Sequence, residues 1–194
     1  MNKLKQFFLI IFVVISSNVS LIHAGLLPDN IVITGPNQCC KIKNLRVGDW
    51  ILASGSTRYN LRERYCTVDG IKINGDSTNV ATLITLESEN GIISSLMVGE
   101  GQRFCVTHDK DSRSFEWTEA HALELESFIL GYENKIFKIT GVQKIDLGCN
   151  TDLYEMSLNP NETFYVLDSN GNPILTHNVI GILGWILIGA LTVK

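Results

Sequence analysis

Residues 152–178, DLYEMSLNPNETFYVLDSNGNPILTHN, decide the fold. Leu153–Leu158 and Thr163–Leu167 are short runs with the apolar alternation and the β-branched and aromatic content of strands. Ser169–Pro173 supplies the Ser, Asn, Gly and Pro of a turn, and Ile174-Leu175 then leads straight into His177-Asn178. An asparagine beside a histidine at a strand end has latent self-cleaving chemistry, because its side-chain amide can attack its own carbonyl while the imidazole moves a proton. The residues after it, 179–194, are almost wholly apolar.

Working outward, the same strand signals recur at Asn30–Thr34, Trp50–Ala53, Tyr65–Ile73, Val80–Glu87, Gly91–Met97, Arg103–Thr107 and Lys135–Ile145. Gly35-Pro36-Asn37 and Gly48-Asp49 punctuate them as turns. Thr118–Glu126 carries the one helical pattern. Short strands with polar turns predict an all-β domain over residues 25–178. The chain of 194 residues holds 16 basic and 20 acidic side chains with no block of like charge, which gives no reason to expect nucleic acid as a partner. No phosphate loop, His-Glu-x-x-His or Gly-x-Ser-x-Gly is present, which removes the commonest enzyme classes, and no cofactor is expected.

The N-terminus has the three parts of a secretory signal peptide: Lys3 and Lys5, the apolar Phe7–Ile15, and a polar region ending in Ala24. Cleavage after Ala24 leaves Ile22 at −3, where a small residue is preferred, so Ser17 and Ser20 stay open as alternatives. An uncleaved anchor is the competing reading, but Phe7–Ile15 spans only about 14 Å as a helix. Residues 1–24 are therefore read as a signal peptide and the protein as exported: secreted, periplasmic or at the cell surface. Export allows disulfides among the five cysteines, Cys39, Cys40, Cys66, Cys105 and Cys149, although an odd count leaves at least one thiol over. None forms a Cys-x-x-Cys pair, so no metal site is expected. Cys105, inside Phe104-Cys105-Val106, reads as a small buried hydrophobe.

Four blocks, in order, carry a resemblance. Ile42-Lys43-Asn44-Leu45-Arg46-Val47-Gly48-Asp49-Trp50-Ile51-Leu52 resembles the "I-x-D-L-x-V-G-D-x-V-L" segment near the start of Hint domains, the module of inteins, hedgehog autoprocessing domains and bacterial intein-like and pre-toxin domains. Val98–Val106 resembles that family's "T-x-x-H-x-F-x-V" block, and Trp117–Leu123 its "W-x-x-A-x-x-L". Leu153–Met156, Phe164–Val166 and Leu175–Asn178 resemble "V-Y-D-L-x-V … H-x-F-x-V … L-V-H-N". The resemblance implies a compact, horseshoe-like, pseudo-two-fold β-domain that rearranges its own backbone. It further implies an N-terminal Cys or Ser attacking the preceding carbonyl, a Thr and a His assisting that step, and cyclisation of the last Asn breaking the following peptide bond.

The departures from this pattern fall mostly in the first half. Counting back from Thr34 on the family spacing places the nucleophile position at Gly25, which has no side chain. The "T-x-x-H" block reads Gly99 through Gln102, and a carboxamide cannot exchange a proton near neutral pH. Glu162 stands at the last-block His, and Val179 follows Asn178 where a splicing intein carries Cys, Ser or Thr. Splicing is not expected. Cys39, Cys40, His108 and His121 lie off the family positions: His108 is read as capping a hairpin loop over Asp109–Ser114, and His121 as a solvent-facing helix residue. If a signal peptidase cuts after Ala24, it performs the N-terminal scission that the family's nucleophile performs elsewhere. The second half keeps His177 and Asn178, with Glu155 in the place of an Asp that tunes them. Two functions follow as expectations: a non-catalytic structural or interaction module, or a domain that cleaves Asn178–Val179 and frees the tail.

Asp168-x-Asn170-x-Asn172 resembles the start of a calcium loop, but Pro173 stands where Gly is needed, so it is read as a hairpin turn. Asn161-Glu162-Thr163 is a glycosylation sequon. The tail, residues 179–194, would reach about 24 Å as a helix, somewhat less than a bilayer core. It either associates with a membrane or packs against the β-domain.

Overall fold

A computed structural model describes residues 24–55, 62–110, 114–159 and 163–177. Residues 1–23 of the expected signal peptide (1–24), Glu162, Asn178 and the apolar tail lie outside the described residues. Eleven strands follow in chain order: β1 (Ile31–Gly35), β2 (Gln38–Lys41), β3 (Trp50–Gly55), β4 (Arg62–Glu87), β5 (Ile93–Val98), β6 (Arg103–Thr107), β7 (Glu116–Glu119), β8 (Phe128–Leu130), β9 (Ile136–Asn159), β10 (Thr163–Leu167) and β11 (Pro173–His177). The domain is all-β, as the alternation predicts.

Every strand belongs to one sheet with antiparallel pairing; nine follow the order β11-β6-β8-β9-β4-β3-β10-β1-β2, with β5 paired to β4 and β7 to β6 off this path. The additional β10–β11 hairpin, Thr163↔His177 to Leu167↔Pro173, joins the two ends of the seven-strand path from β11 to β10, so this part of the sheet closes on itself. β10 is buried on both faces, which is why TFYVL is a continuous run rather than an alternation. Phe164 and Val166 enter the main core with Val32, Ile51, Ile84, Phe104 and Ile139, while Tyr165 joins a second cluster with Leu52, Cys105, Leu130 and Leu175. Each such large apolar side chain contributes about 1.5–3 kcal/mol by leaving water.

Two pairs of expected strands are fused. Tyr65–Ile73 and Val80–Glu87 are parts of β4, and Lys135–Ile145 and Leu153–Leu158 are largely parts of β9, because the β4–β9 ladder runs from Thr67↔Asn159 to Glu87↔Lys138. The register shifts four times along it, including at Val68/Gly70 and Thr85/Leu86. Gly70 and Gly141 sit at these two irregularities, where a Cβ would meet the Ser157 and Thr85 hydroxyls at 2.7 and 3.0 Å.

The expected helix over Thr118–Glu126 does not form. Thr118 and Glu119 end β7, residues Ala120–Ala122 make one 3₁₀ turn, and the chain continues extended at Leu123. The reason is tertiary: the N–H groups of Ala120 and His121 donate to the carbonyls of Gln102 (2.7 Å) and Glu100 (3.0 Å), which fixes the turn against the loop before β6. His121 is accordingly on a 3₁₀ turn rather than a helix. All five cysteines are free thiols. Cys105 is buried as expected, and burial pushes its thiol from 9.0 up to about 12.

Candidate functional site

The site is a seam where the start of the domain, the loop before β6 and the end of β11 meet. Leu26 exchanges two backbone hydrogen bonds of 2.9 Å with Tyr154 on β9, and its side chain is fully buried, so the segment entering the domain is pinned. This seats Gly25 beside Gly99, whose N–H donates to the Gly25 carbonyl at 3.0 Å. Gly25 has φ +133°, and a Cβ there would meet Leu153 Cβ at 3.0 Å and the Tyr154 carbonyl oxygen at 3.1 Å. Only glycine takes that backbone without strain.

Gln102 follows from Gly99 by a tight turn, its N–H donating to the Gly99 carbonyl at 3.0 Å. Its side chain is buried, and the carboxamide nitrogen donates to Thr176 Oγ1 at 2.5 Å and to the His177 carbonyl at 2.9 Å. Thr176 Oγ1 in turn donates to the Arg103 carbonyl at 2.7 Å. The alternation of β11 puts Leu175 on the other face with the second apolar cluster. His177, two residues on, follows Leu175 onto that face, where its ring meets Trp117 edge-on at a centroid distance of 5.0 Å. His177 pairs with Arg103 and Arg103 with Glu119, forming one row across three strands, and Arg103 and Glu119 make a 3.1 Å ion pair.

Four of the residues singled out in the sequence, Gly25, Gly99, Gln102 and His177, are thus linked by successive hydrogen bonds. Glu155 lies on β9, where it pairs across the ladder with Lys72 in a 3.8 Å ion pair. His108 stands on the β6–β7 hairpin with Nε2 3.1 Å from Glu116 Oε1. His121 Nδ1 lies 3.1 Å from the Glu100 carbonyl. Thr176 and Trp117 were not marked as site residues. Trp117 was visible only as the first letter of a family block, and Thr176 only as the residue before a His-Asn pair.

The seam is closed: Gly25, Gly99, Gln102 and Thr176 are all buried. A depression of about 160 Å³ at the β6–β7 hairpin and another of about 280 Å³ beside Glu87, Lys110 and Lys138 are lined by none of these residues. Among the described residues no cluster of His, Cys, Asp and Glu could hold a metal ion, and no helix is long and apolar enough to cross a membrane. The Asp168 turn between β10 and β11 is closed by its own carboxylate, which accepts from the Asn170 and Asn172 N–H groups at 2.9 and 2.8 Å and from Asn172 Nδ2 at 2.8 Å.

No protein-family model and no curated protein matches the sequence. Solved structures do match the fold. A bacterial intein-like domain from Clostridium thermocellum superposes over 80% of this chain and 99% of its own, with a TM-score of 0.64 at 16% identity. A DnaB intein from Synechocystis covers 80% of this chain and 99% of its own, with a TM-score of 0.57 at 15% identity. The gp41-1 intein covers 79% and 98%, with a TM-score of 0.54 at 19% identity. The chain therefore has the Hint fold, the architecture shared with inteins and intein-like domains.

Proposed function

We propose that this chain is an exported Hint-fold domain that does not splice and acts as a structural or interaction module. The observation that carries this reading is the conformation of Gly25. The nucleophile position is occupied by a residue without a side chain, in a backbone that a side chain would strain. Acyl transfer needs a thiol or hydroxyl held at the preceding carbonyl, and Gly25 offers neither. N-terminal sequencing of the exported protein is expected to begin at Gly25; a start several residues away removes the argument that leader cleavage has replaced the first step. Expressed between two foreign flanking tags, the domain is expected to give no ligated tag product, and the appearance of that product would overturn the proposal.

A second reading, cleavage at Asn178–Val179 alone, is favoured by one observation. The last described residue, His177, is held both by the Gln102 carboxamide and by the Trp117 ring. In this reaction the Asn178 side-chain nitrogen bonds to its own backbone carbonyl carbon, the bond to Val179 breaks, and the proton that Asn178 Nδ2 gives up passes to the Val179 nitrogen, which leaves as a free amine. Intact mass after prolonged incubation decides: loss of residues 179–194 in the wild type but not in Asn178→Ala supports cleavage, and no loss in either ends that reading. For the tail, flotation with liposomes is expected to depend on residues 179–194 if they associate with a membrane.

A further inference from the structure

We infer that Asn90-Gly91 is a self-modification site: the Gly91 backbone nitrogen attacks the Asn90 carboxamide, assisted by the Ser88 hydroxyl, and the ring that forms opens to aspartate or isoaspartate. The reaction takes place at the tip of the β4–β5 hairpin and involves no residue of the seam around Gly25 and Gln102.

Three Asn-Gly dipeptides occur in the chain. Asn74-Gly75 lies inside β4, and the other two close hairpin turns of one form. In Ser88–Ile92 the Gly91 N–H donates to the Ser88 carbonyl at 2.9 Å and the Ser88 N–H to the Ile92 carbonyl at 3.0 Å. In Asp168–Asn172 the Gly171 N–H donates to the Asp168 carbonyl and the Asp168 N–H to the Asn172 carbonyl, both at 3.0 Å. Gly91 and Gly171 have φ +78° and +79°. The backbone therefore puts the two asparagines on an equal footing, and their side chains separate them. Asn170 is pinned, its N–H donating to Asp168 Oδ1 at 2.9 Å and its Nδ2 to the Ile93 carbonyl at 2.9 Å. Its carboxamide would have to leave β5 before reaching Gly171. Asn90 is exposed, and Ser88 Oγ lies 2.6 Å from its Oδ1. The Ile92 N–H donates to Ser88 Oγ at 3.1 Å and fixes that oxygen. A hydroxyl has one proton to give, and Asn90 Oδ1 is a nearer acceptor than the Ile92 carbonyl at 3.0 Å.

The step balances with water as the one co-reactant. The Gly91 nitrogen gives up its proton and bonds to Asn90 Cγ, the bond from Cγ to the side-chain nitrogen breaks, and that nitrogen takes the proton and leaves as ammonia. Water then opens the five-membered ring at either carbonyl, giving an aspartate or an isoaspartate with an additional carbon in the backbone. The attack is intramolecular and glycine places no Cβ in its path, so positioning decides the rate. Negative charge gathers on Oδ1 as the nitrogen adds, and this is the atom that the Ser88 hydroxyl touches. Both products set a new carboxylate beside Glu89, which pairs with Lys110 at 3.4 Å. The isoaspartate also lengthens the turn that sets the Glu87↔Ile93 register.

The test incubates the full-length folded protein at mildly alkaline pH and follows the peptides around Asn90 and Asn170 by chromatography and mass, which separate amide, aspartate and isoaspartate. Conversion is expected at Asn90 and to be slower at Asn170 by on the order of tenfold or more. In urea, where both turns are lost, the two rates should converge. Ser88→Ala should slow conversion at Asn90 by roughly tenfold, less than the about hundredfold loss at a water-excluded oxyanion site, and Ser88→Thr should restore it. Loosening of the turn would speed the reaction, so a slowed Ser88→Ala cannot arise from misfolding. An Asn90 that stays intact, or equal conversion at Asn90 and Asn170 in the folded protein, overturns the site. A difference that persists in urea overturns the structural origin of the selectivity. A Ser88→Ala rate equal to or above that of the wild type overturns the role of the hydroxyl.

Discussion

Restoring the missing nucleophile by Gly25→Cys is expected to damage the domain rather than revive it. Gly25 sits at φ +133°, outside the regions open to L-residues, and its missing Cβ would lie 3.0 Å from Leu153 Cβ and 3.1 Å from the Tyr154 carbonyl oxygen. Neither neighbour can yield cheaply, because Leu153 is fully buried and Tyr154 is tied to Leu26 by two backbone hydrogen bonds. A strained backbone of this kind costs about 1–3 kcal/mol. Relief by moving residue 25 would sacrifice the hydrogen bond from Gly99, itself worth about 1 kcal/mol. For a domain near 150 residues a loss of about 2 kcal/mol lowers Tm by roughly 4–8 °C. The informative pair is Gly25→Ala, which isolates the cost of the Cβ, and Gly25→Cys, which adds the thiol. Thermal unfolding should give both the same drop, and incubation of Gly25→Cys with hydroxylamine should release no fragment ending at Ala24. An unchanged Tm in Gly25→Ala, or thioester cleavage in Gly25→Cys, would show that the backbone at residue 25 still accommodates a nucleophile.

Four further outcomes follow from described contacts. Cys105, buried and with its pKa raised to about 12, should react with a thiol reagent at pH 8 far more slowly than the exposed Cys39 and Cys149. By the same shift the unfolded chain loses this proton from about pH 9 while the folded chain keeps it to about pH 12. Stability should therefore fall as pH rises through that window, and Cys105→Ala should flatten the fall in denaturant titrations. Asp168→Ala strands three donors of the β10–β11 turn and should cost about 3 kcal/mol, read as a Tm drop of roughly 6–12 °C; a negligible drop would mean the turn is set by its backbone alone. Trp117→Ala removes the ring against His177 and should shift the His177 ring-proton resonances by loss of the indole ring current, while an unshifted spectrum would show that the pair is not formed in solution.

Much of the site was legible because two independent counts converge. Spacing back from Thr34 marked residue 25, and the block before Phe104 marked residue 99; in the structure these two glycines share a hydrogen bond. The strand runs around Phe164 and Leu175 were legible for a simpler reason, since a closed sheet buries both faces of β10 and leaves no polar residue among Phe164–Val166. The helix over Thr118–Glu126 was misread because Trp117, Ala120 and Leu123 recur every three residues, a spacing that a 3₁₀ turn anchored on other loops also satisfies. Gln102 was half legible: the sequence records which residue type is missing there, but a carboxamide's reach to two acceptors on β11, some 75 positions away, depends on the closure of the sheet. Glu155 was assigned by register along one strand, and its ion pair with Lys72 depends on the partner strand that no single-strand pattern reveals.

The Asp168–Asn172 turn has a consequence for solubility. Among the described residues, closing β10 onto β11 leaves β2, β5 and β7 as strands with one side unpaired by another strand, and an open strand side invites pairing with a second chain. β2 is only four residues long, and β7 begins and ends with glutamate. β5 is the exposed case, six residues long, preceded by the solvent-facing Ile92 and opening on the solvent-facing Ile93. Its open side is covered by the turn: Ser169 exchanges hydrogen bonds with both backbone groups of Ser95, Asn170 Nδ2 donates to the Ile93 carbonyl, and Asn30 Nδ2 donates to the Met97 carbonyl. A loop that resembles an ion-binding sequence therefore acts as a guard on the sheet, occupying the backbone groups through which two copies of the protein would otherwise zip together.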